Sequence, residues 1–486
     1  MPRQYKKDAL IILGLLAFVY AYFYQDGGSN GNSRLSLIFA MVREGRLTID
    51  TYHDRQGTKT GDKAYFNGHY YSDKAIGPSL VGAITYAPLY WIRQHLHRIG
   101  QSTAVKIVTF IVVGLPSAIA GSFIYLLCLY LSKSRMRAFL TTLSITLGTM
   151  YLPYSVILFS HQFSASLLFS AFFIIFLLKE RLVLWKSWYL FVIGSLLGWA
   201  LISEFPTLII ICALLFYYLR TVWQNPTLRR FRSIALPALG GAIPILLQMI
   251  YNKLCFGNFL SIGYANLANS YYRSGMELGF MGINWPDLRV LYYMTLHPTM
   301  GLFWESPVLL FSVIGVVFIF LERRFRQEAI LAMGMIGSYM VIMSGYYMWW
   351  GGSALGPRHI IPVLPFFCVL LIFVPKRLTW PLVILSLVSI GQMFIAAASD
   401  VLAPDDWVSE INTLGFLKYT NIYSYCLKRL LAGKFAWNLG QAILGLQNWA
   451  SLLPVALVVS GSTILMVLFS TRSDRNPQNQ LGRRAS

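Results

Sequence analysis

Between residues 60 and 78 the chain reads TGDKAYFNGHYYSDKAIGP, which sets two Asp-Lys pairs, Asp62-Lys63 and Asp73-Lys74, beside His69, Tyr71 and further tyrosines. Only 12% of the 486 residues are charged and 56% are hydrophobic, so ionisable groups this dense call for a reason. Carboxylates next to ammonium groups suit group transfer. A carboxylate can take the proton of an acceptor hydroxyl or amine, while Lys or Arg stabilises charge developing on a leaving phosphate. Asp62 and Asp73 are the candidate proton acceptors in this stretch, and Lys74, Lys63 and Arg358 the candidate phosphate-binding cations.

Other polar islands interrupt the apolar sequence and supply candidate site-lining residues. They are SHQ at 160–162 with His161, SEFP at 203–206 with Glu204, YNKLCFGNFLSIGY at 251–264 with Asn252 and Tyr264, HPTMGLFWESP at 297–307 with His297, and WWGGSALGPRH at 349–359 with Trp350 and Arg358. Each also has an ordinary reading. His161 and Glu204 fall at helix ends, where ionisable groups are commonly solvated, although such groups are costly near membrane depth. Trp349 fits an interfacial belt. Gly351, Gly352, Gly356 and Pro357 make a turn, but the same turn brings backbone N–H groups and Arg358 together, as a phosphate site requires.

The elements that must position these residues are membrane helices. A mean hydropathy of +0.57 with 15% aromatics describes a polytopic membrane protein of all-α class rather than a soluble domain. Apolar runs at 9–24, 107–131, 138–157, 164–178, 188–201, 207–219, 234–250, 302–321, 329–347, 360–374, 378–398 and 452–469 read as about twelve spans. The run 75–92 contains Gly77, Pro78 and Gly82 and is read as an interfacial helix, not a span. SRLSLIFAMVREG, within the long segment before it, has apolar residues at helical spacing and reads as an amphipathic helix on the membrane surface.

Charge fixes the expected orientation. With these spans, one side carries 22 basic residues against 5 acids in short loops, and the other 18 against 14 in longer segments. The positive-inside rule makes the first side cytoplasmic, places both termini there, and puts every polar island on the outer face of the membrane. The net charge of +21 is explained by these loops, so nucleic acid is not an expected partner. The basic start MPRQYKK leads into an uncleaved first span, since no small-residue cleavage site follows. Cys128, Cys212 and Cys368 are packing residues, while Cys255 and Cys426 fall in outer segments where a bridge is open to them. The expected organisation is one transmembrane unit over 1–470, with outer segments at 25–103, 252–301 and 399–451, and a disordered tail at 471–486. No phosphate-binding loop, dinucleotide fingerprint or metal-ligand motif such as HExxH stands out, so no cofactor or divalent metal is implied.

AMVREGRLTID followed by NGHYYSDKAIGP resembles the first outer loop of GT-C superfamily glycosyltransferases, in particular the branch of the lipid A aminoarabinose transferase and the protein O-mannosyltransferases. In those enzymes an acid-Lys-Pro motif follows a similar amphipathic helix. YNKLCFGNF, HPTMGLFWESP and WWGGSALGPRHIIPVLPF further resemble uncharacterised bacterial membrane proteins usually placed with them. The resemblance implies a polyprenyl-phosphate-linked sugar donor, inversion at the anomeric carbon, and a catalytic Asp in the first outer loop. Lys74 matches the residue that contacts donor phosphate, and Asp73 the acid beside it. For the base, Asp26 is near the family position but out of register with it, the aligned place lying closer to Asn30; Asp50 and Asp62 are the alternatives. Acceptor recognition is expected from 399–451, with Asp405, Asp406 and Trp407.

The expected function is transfer of a sugar from a lipid-phosphate donor to a lipid, glycan or protein acceptor, with membrane lipids as further partners. The alternatives are a transporter or flippase of a lipid-linked sugar, which favours charges at mid-membrane, and a non-catalytic cell-envelope assembly protein.

Overall fold

A computed structural model describes residues 3–225, 231–321, 323–403 and 421–474. Among these, seven helices are long and apolar enough to cross a membrane: Gln101–Ser132, Ser160–Lys179, Phe205–Trp223, Arg232–Phe256, Arg326–Ser344, Lys376–Ala398 and Asn448–Leu468. Ser187–Leu201, Pro307–Leu321 and Arg358–Leu371 are shorter apolar helices, and the first helix, Arg3–Tyr22, packs its apolar side on Leu115–Ser132. The architecture is all-α and polytopic.

Two of the expected spans are broken, for reasons visible in their sequences. The run 138–157 is a helix only over Arg135–Thr146; a turn through Gly148 and a short helix Tyr151–Tyr154 containing Pro153 complete it. The run 360–374 begins as a 3-10 helix, Arg358–Phe366, and becomes α-helical only at Phe367–Leu371. Pro362 and Pro365 lack the N–H an α-helix needs, and the tighter turn accommodates them.

Close packing of two helices fixes one wall of the site. Ser187–Leu201 lies against Arg232–Phe256 through glycines: a Cβ on Gly194 would stand 1.9 Å from the carbonyl oxygen of Pro237, and one on Gly240 2.1 Å from that of Phe191. Small residues allow backbones to approach where no water-driven force holds helices together.

The segment between the first two long helices is the most elaborate. The helix expected from Ser33 runs over Gly28–Phe39 and ends in a π-turn, Ala40–Glu44. Its residues from Gly31 to Ala40 are buried, because Gly77–Leu96 lies over it and presents Ile84, Trp91 and Leu96 outward. Gly77–Leu96 is not among the seven helices long and apolar enough to cross a membrane. Between them stands a β-hairpin, Lys63–Phe66 with His69–Ser72, in which Lys63 pairs with Ser72 and Phe66 with His69. Asn67 and Gly68 make its turn at φ 49° and 84°. Two left-handed residues in an Asn-Gly pair match the right-handed twist of the strands they join.

All five cysteines are free, so the bridge open to Cys255 and Cys426 is not formed; both are buried. Residues 404–420, which include Asp405, Asp406 and Trp407, lie outside the described residues, as do 475–486 of the tail; 471–474 belong to the helix Leu453–Asp474.

Candidate active site

The hairpin register explains how the Asp-Lys pairs meet. Because Lys63 opposes Ser72, Asp62 and Asp73 flank the open end of the hairpin, one beside each strand. Lys74 Nζ sits between them, 2.9 Å from Asp62 Oδ2 and 3.1 Å from Asp73 Oδ2. All three are largely buried, with 16%, 4% and 10% of the Asp62, Asp73 and Lys74 side chains exposed. Burial raises the Asp62 carboxyl, but Lys74, with Arg358 and Arg34 behind it, outweighs burial and holds it below the usual range. Asp73 is pushed above that range by burial, reinforced by the Asp62 charge and opposed by Lys74. Burial would lower Lys74, yet the two carboxylates raise it.

These groups open onto a cavity of about 1020 Å³. Its wall is assembled at one end of the helical bundle: by the segment after Arg3–Tyr22, the start of Ser160–Lys179, the turn joining Leu201 to Phe205, and the segment from the end of Arg326–Ser344 to Arg358. Of the candidates, Asp62, Asp73, Lys74, His161, Glu204, Tyr264 and Arg358 line this cavity. Burial raises the Tyr264 hydroxyl to about 12, and its ring lies 5.6 Å from Lys74 Nζ.

A second polar chain runs along the wall. Arg34 Nη2 donates to Ser160 Oγ at 2.7 Å, Ser160 Oγ donates to Glu204 Oε2 at 2.6 Å, and His161 Nδ1 lies 3.0 Å from the same oxygen. Burial raises the Glu204 carboxyl, but His161, His359 and Ser160 outweigh it and hold it well below its ordinary value. Gly77 ties this chain to the hairpin: its N–H donates to Ile202 O at 2.8 Å, and a Cβ there would meet Ser203 Oγ at 2.1 Å. Only glycine lets the Lys74 segment come so close to the Glu204 turn.

Arg358 enters from the loop 349–358, its guanidinium 4.8 Å from the centre of the Phe159 ring. Its Nε is buried and has no hydrogen-bond acceptor. The cavity wall also carries apolar residues, among them Leu208, Ile209, Leu260, Phe280 and Met281. Leu208, Leu260 and Phe280 are 51%, 78% and 78% exposed, so part of this wall faces the surroundings of the bundle.

The remaining candidates stand off the cavity wall. Asp50 accepts the Tyr70 N–H at 2.7 Å and lies 2.8 Å from His69 Nδ1 on an open face of the hairpin. Asp26 is exposed and accepts the Gly28 N–H at 3.2 Å. Lys63 contacts His53 and Asp54 instead, at 2.7 and 3.3 Å. Tyr71 packs on Phe256, Asn252 donates to Phe259 O at 3.0 Å, and His297 Nδ1 accepts the Thr299 N–H at 3.2 Å. Trp350 is half-buried beside Trp349, their ring centres 5.9 Å apart.

Sequence reasoning passed over Arg34, Ser160 and His359. Arg34 carried a signal: it is the single charged residue in GSNGNSRLSLIF, and a cation inside a buried helix needs a purpose. His161, Glu204 and His359 come from three distant segments, and a ligand-type atom of each lies within 4.8 Å of the others. Among the described residues they form the one group near enough to hold a metal ion. No spacing in the sequence joins them.

No family model matches the chain, and no curated protein matches it. Among solved structures, it is similar to ArnT from Cupriavidus metallidurans bound to undecaprenyl phosphate, at 13% identity over 95% of this chain and 75% of that one, with a TM-score of 0.48. The apo state of the same protein gives 14% identity over 96% and 74%, with a TM-score of 0.48. The oligosaccharyltransferase of Archaeoglobus fulgidus in its apo form gives 11% identity over 94% of this chain and 55% of that one, with a TM-score of 0.41. At TM-scores below 0.5 these likenesses carry no argument about chemistry, which rests on the cavity itself.

Proposed function

We propose that the chain is a membrane glycosyltransferase that moves a sugar from a polyprenyl-phosphate-linked donor to a hydroxyl or amine of a lipid, glycan or protein acceptor. The observation that carries the reading is that one cavity is lined both by ionisable groups and by exposed apolar side chains. Three cations, Arg34, Lys74 and Arg358, and three carboxylates, Asp62, Asp73 and Glu204, share its wall with Leu208, Leu260, Phe280 and their apolar neighbours. An amphiphile with an anionic junction fits this lining, its tail along the apolar side chains and its phosphate at the cations.

The cations differ in what they offer. Lys74 is already engaged by two carboxylates, whereas among the described residues no carboxylate pairs with Arg358, which lines the same cavity. A planar guanidinium can hold a phosphate by two parallel charge-assisted hydrogen bonds. Arg358 is therefore assigned to the donor phosphate, with Lys74 beside it to take up charge as the leaving group departs. Asp62 and Asp73 place negative charge where a positive anomeric centre would develop. Attack opposite the phosphate would invert the anomeric carbon. Orientation with the cavity at the outer membrane face, and with both termini cytoplasmic, follows from the loop charges. The chemistry assigned to these residues calls for no cofactor.

The test is turnover by the purified full-length protein in nanodiscs, offered a panel of radiolabelled polyprenyl-phosphate sugars with a membrane lipid extract as acceptor. Label in a new product, lost in Arg358→Ala, supports the proposal. Label that stays on the donor with every sugar and acceptor contradicts it.

A further inference from the structure

We infer that His161, oriented by Glu204, is the residue that takes the acceptor's proton; the inference rests on the transferase reading and assigns it a base other than an aspartate. The four aspartates are each poorly placed for that task. Asp26 and Asp50 stand off the cavity wall, bonded to Gly28 N–H and to Tyr70 N–H and His69. Asp62 and Asp73 are on the wall but share Lys74 at 2.9 and 3.1 Å, and the ammonium beside each opposes an incoming proton.

His161 is placed differently. It is 3% exposed, lines the cavity, and its Nδ1 lies 3.0 Å from Glu204 Oε2, within ion-pair reach but outside hydrogen-bond alignment. That carboxylate oxygen is fixed from a second direction by Ser160 Oγ, itself held by Arg34. A carboxylate beside one ring nitrogen keeps the proton there, which leaves Nε2 as the basic atom, and steadies the imidazolium as it forms. The ring is held edge-on to His359 at 5.1 Å and to Phe159 at 6.3 Å, so its orientation is set by packing as well as charge. Glu204 is the carboxylate beside the ring, His359 stands against it, and Arg34, Arg358 and Lys74 are cations on the same cavity wall.

In the transfer step, the acceptor oxygen forms its bond to the anomeric carbon as the bond from that carbon to the phosphate oxygen breaks. The electron pair leaves with the phosphate, toward Arg358 and Lys74. The acceptor's proton passes to His161 Nε2 and from there to water.

The experiment uses the full chain in nanodiscs and compares wild type with His161→Ala, His161→Asn, Glu204→Gln and Asp73→Asn. The expected result is a fall in kcat of about 100-fold or more in both His161 variants, with donor KM within about threefold of wild type. Added imidazole, which the cavity can admit, restores at least tenfold to His161→Ala and nothing to Asp73→Asn. Glu204→Gln loses about tenfold. His161→Asn guards against misfolding, since it keeps a polar group near Glu204, and an unchanged donor KM shows the site intact. His161 variants that turn over within threefold of wild type overturn the inference while leaving the transferase reading standing. So does a stoichiometric divalent ion whose removal by a chelator stops wild-type turnover, because the His161, Glu204 and His359 group would then be a cation site. Wild type inactive with every donor removes the transferase reading itself.

Discussion

Lys74 Nζ lies 2.9 Å from Asp62 Oδ2 although eleven residues separate them, and the contact exists because a two-residue turn at Asn67 and Gly68 brings the ends of the hairpin side by side. Removing the ammonium leaves two buried carboxylates facing each other, and breaking a buried pair from one side costs about 3–5 kcal/mol. Lys74→Ala is expected to lower thermal stability in detergent and to abolish transfer. In Lys74→Ala/Asp62→Asn/Asp73→Asn the stability loss is expected to be largely recovered, with transfer still absent. Unfolding followed by intrinsic fluorescence, beside the transfer assay, separates the two effects.

The turn itself gives a second test. Gly68 has φ 84°, and the same conformation imposed on a β-branched residue costs about 1–3 kcal/mol. Gly68→Val is expected to lower stability by that order and to reduce transfer by more than tenfold, although Gly68 touches no part of the cavity. Equal activity in Gly68→Val and wild type would show that the hairpin does not position Asp62 and Asp73.

The legibility of the fold and of the site differed for physical reasons. Membrane helices announce themselves, because a span must be continuously apolar; the helices beginning at Ser160, Ser187 and Arg232 fall where the runs place them. Breaks inside apolar runs were signalled by Pro153, Pro362 and Pro365, yet a run of apolar residues hides them from any test of length alone. Asn67-Gly68 between alternating aromatic residues was a hairpin signal in plain view, obscured by its helical surroundings. The pairing of Lys74 with Asp62 and Asp73 follows from that hairpin. The meeting of His161, Glu204 and His359 does not follow from any local pattern, because it is made by tertiary packing of three segments that share no spacing.

The two aspartates are expected to respond to pH with opposite sign. Asp62 is held below its ordinary pKa of 3.8 by Lys74 despite burial, so its stabilising contribution is complete above that value and is lost as pH falls through the lower folded-state value. Asp73 is raised above 3.8 chiefly by burial, so its ionisation opposes folding above the raised value and that penalty disappears as pH falls toward 3.8. Asp62→Asn is expected to lower stability at pH 7, whereas Asp73→Asn leaves it equal or higher. Melting temperatures of both variants between pH 3 and 7 check the signs; a loss at pH 7 in Asp73→Asn as large as that in Asp62→Asn contradicts them.

Arg358 is expected to act on the donor rather than on the fold. A hydrogen bond to a charged group contributes about 1.5–3 kcal/mol, so Arg358→Ala should weaken polyprenyl phosphate binding by roughly 10- to 150-fold. Arg358→Lys keeps the charge but not the planar fork, and should recover only part of it. Binding measured by microscale thermophoresis in nanodiscs, together with an unchanged melting temperature without ligand, distinguishes a lost ligand contact from a lost fold.

The central claim is that the cavity cleaves the bond between a sugar and a lipid phosphate. Its most direct test is a single-turnover experiment with doubly labelled polyprenyl-phosphate sugar, in which free polyprenyl phosphate and sugar-labelled acceptor are counted together. The account predicts that they appear in equal amounts, and that neither appears with Arg358→Ala or Lys74→Ala. Intact donor moving from one leaflet to the other with no free polyprenyl phosphate would contradict it and make the protein a transporter.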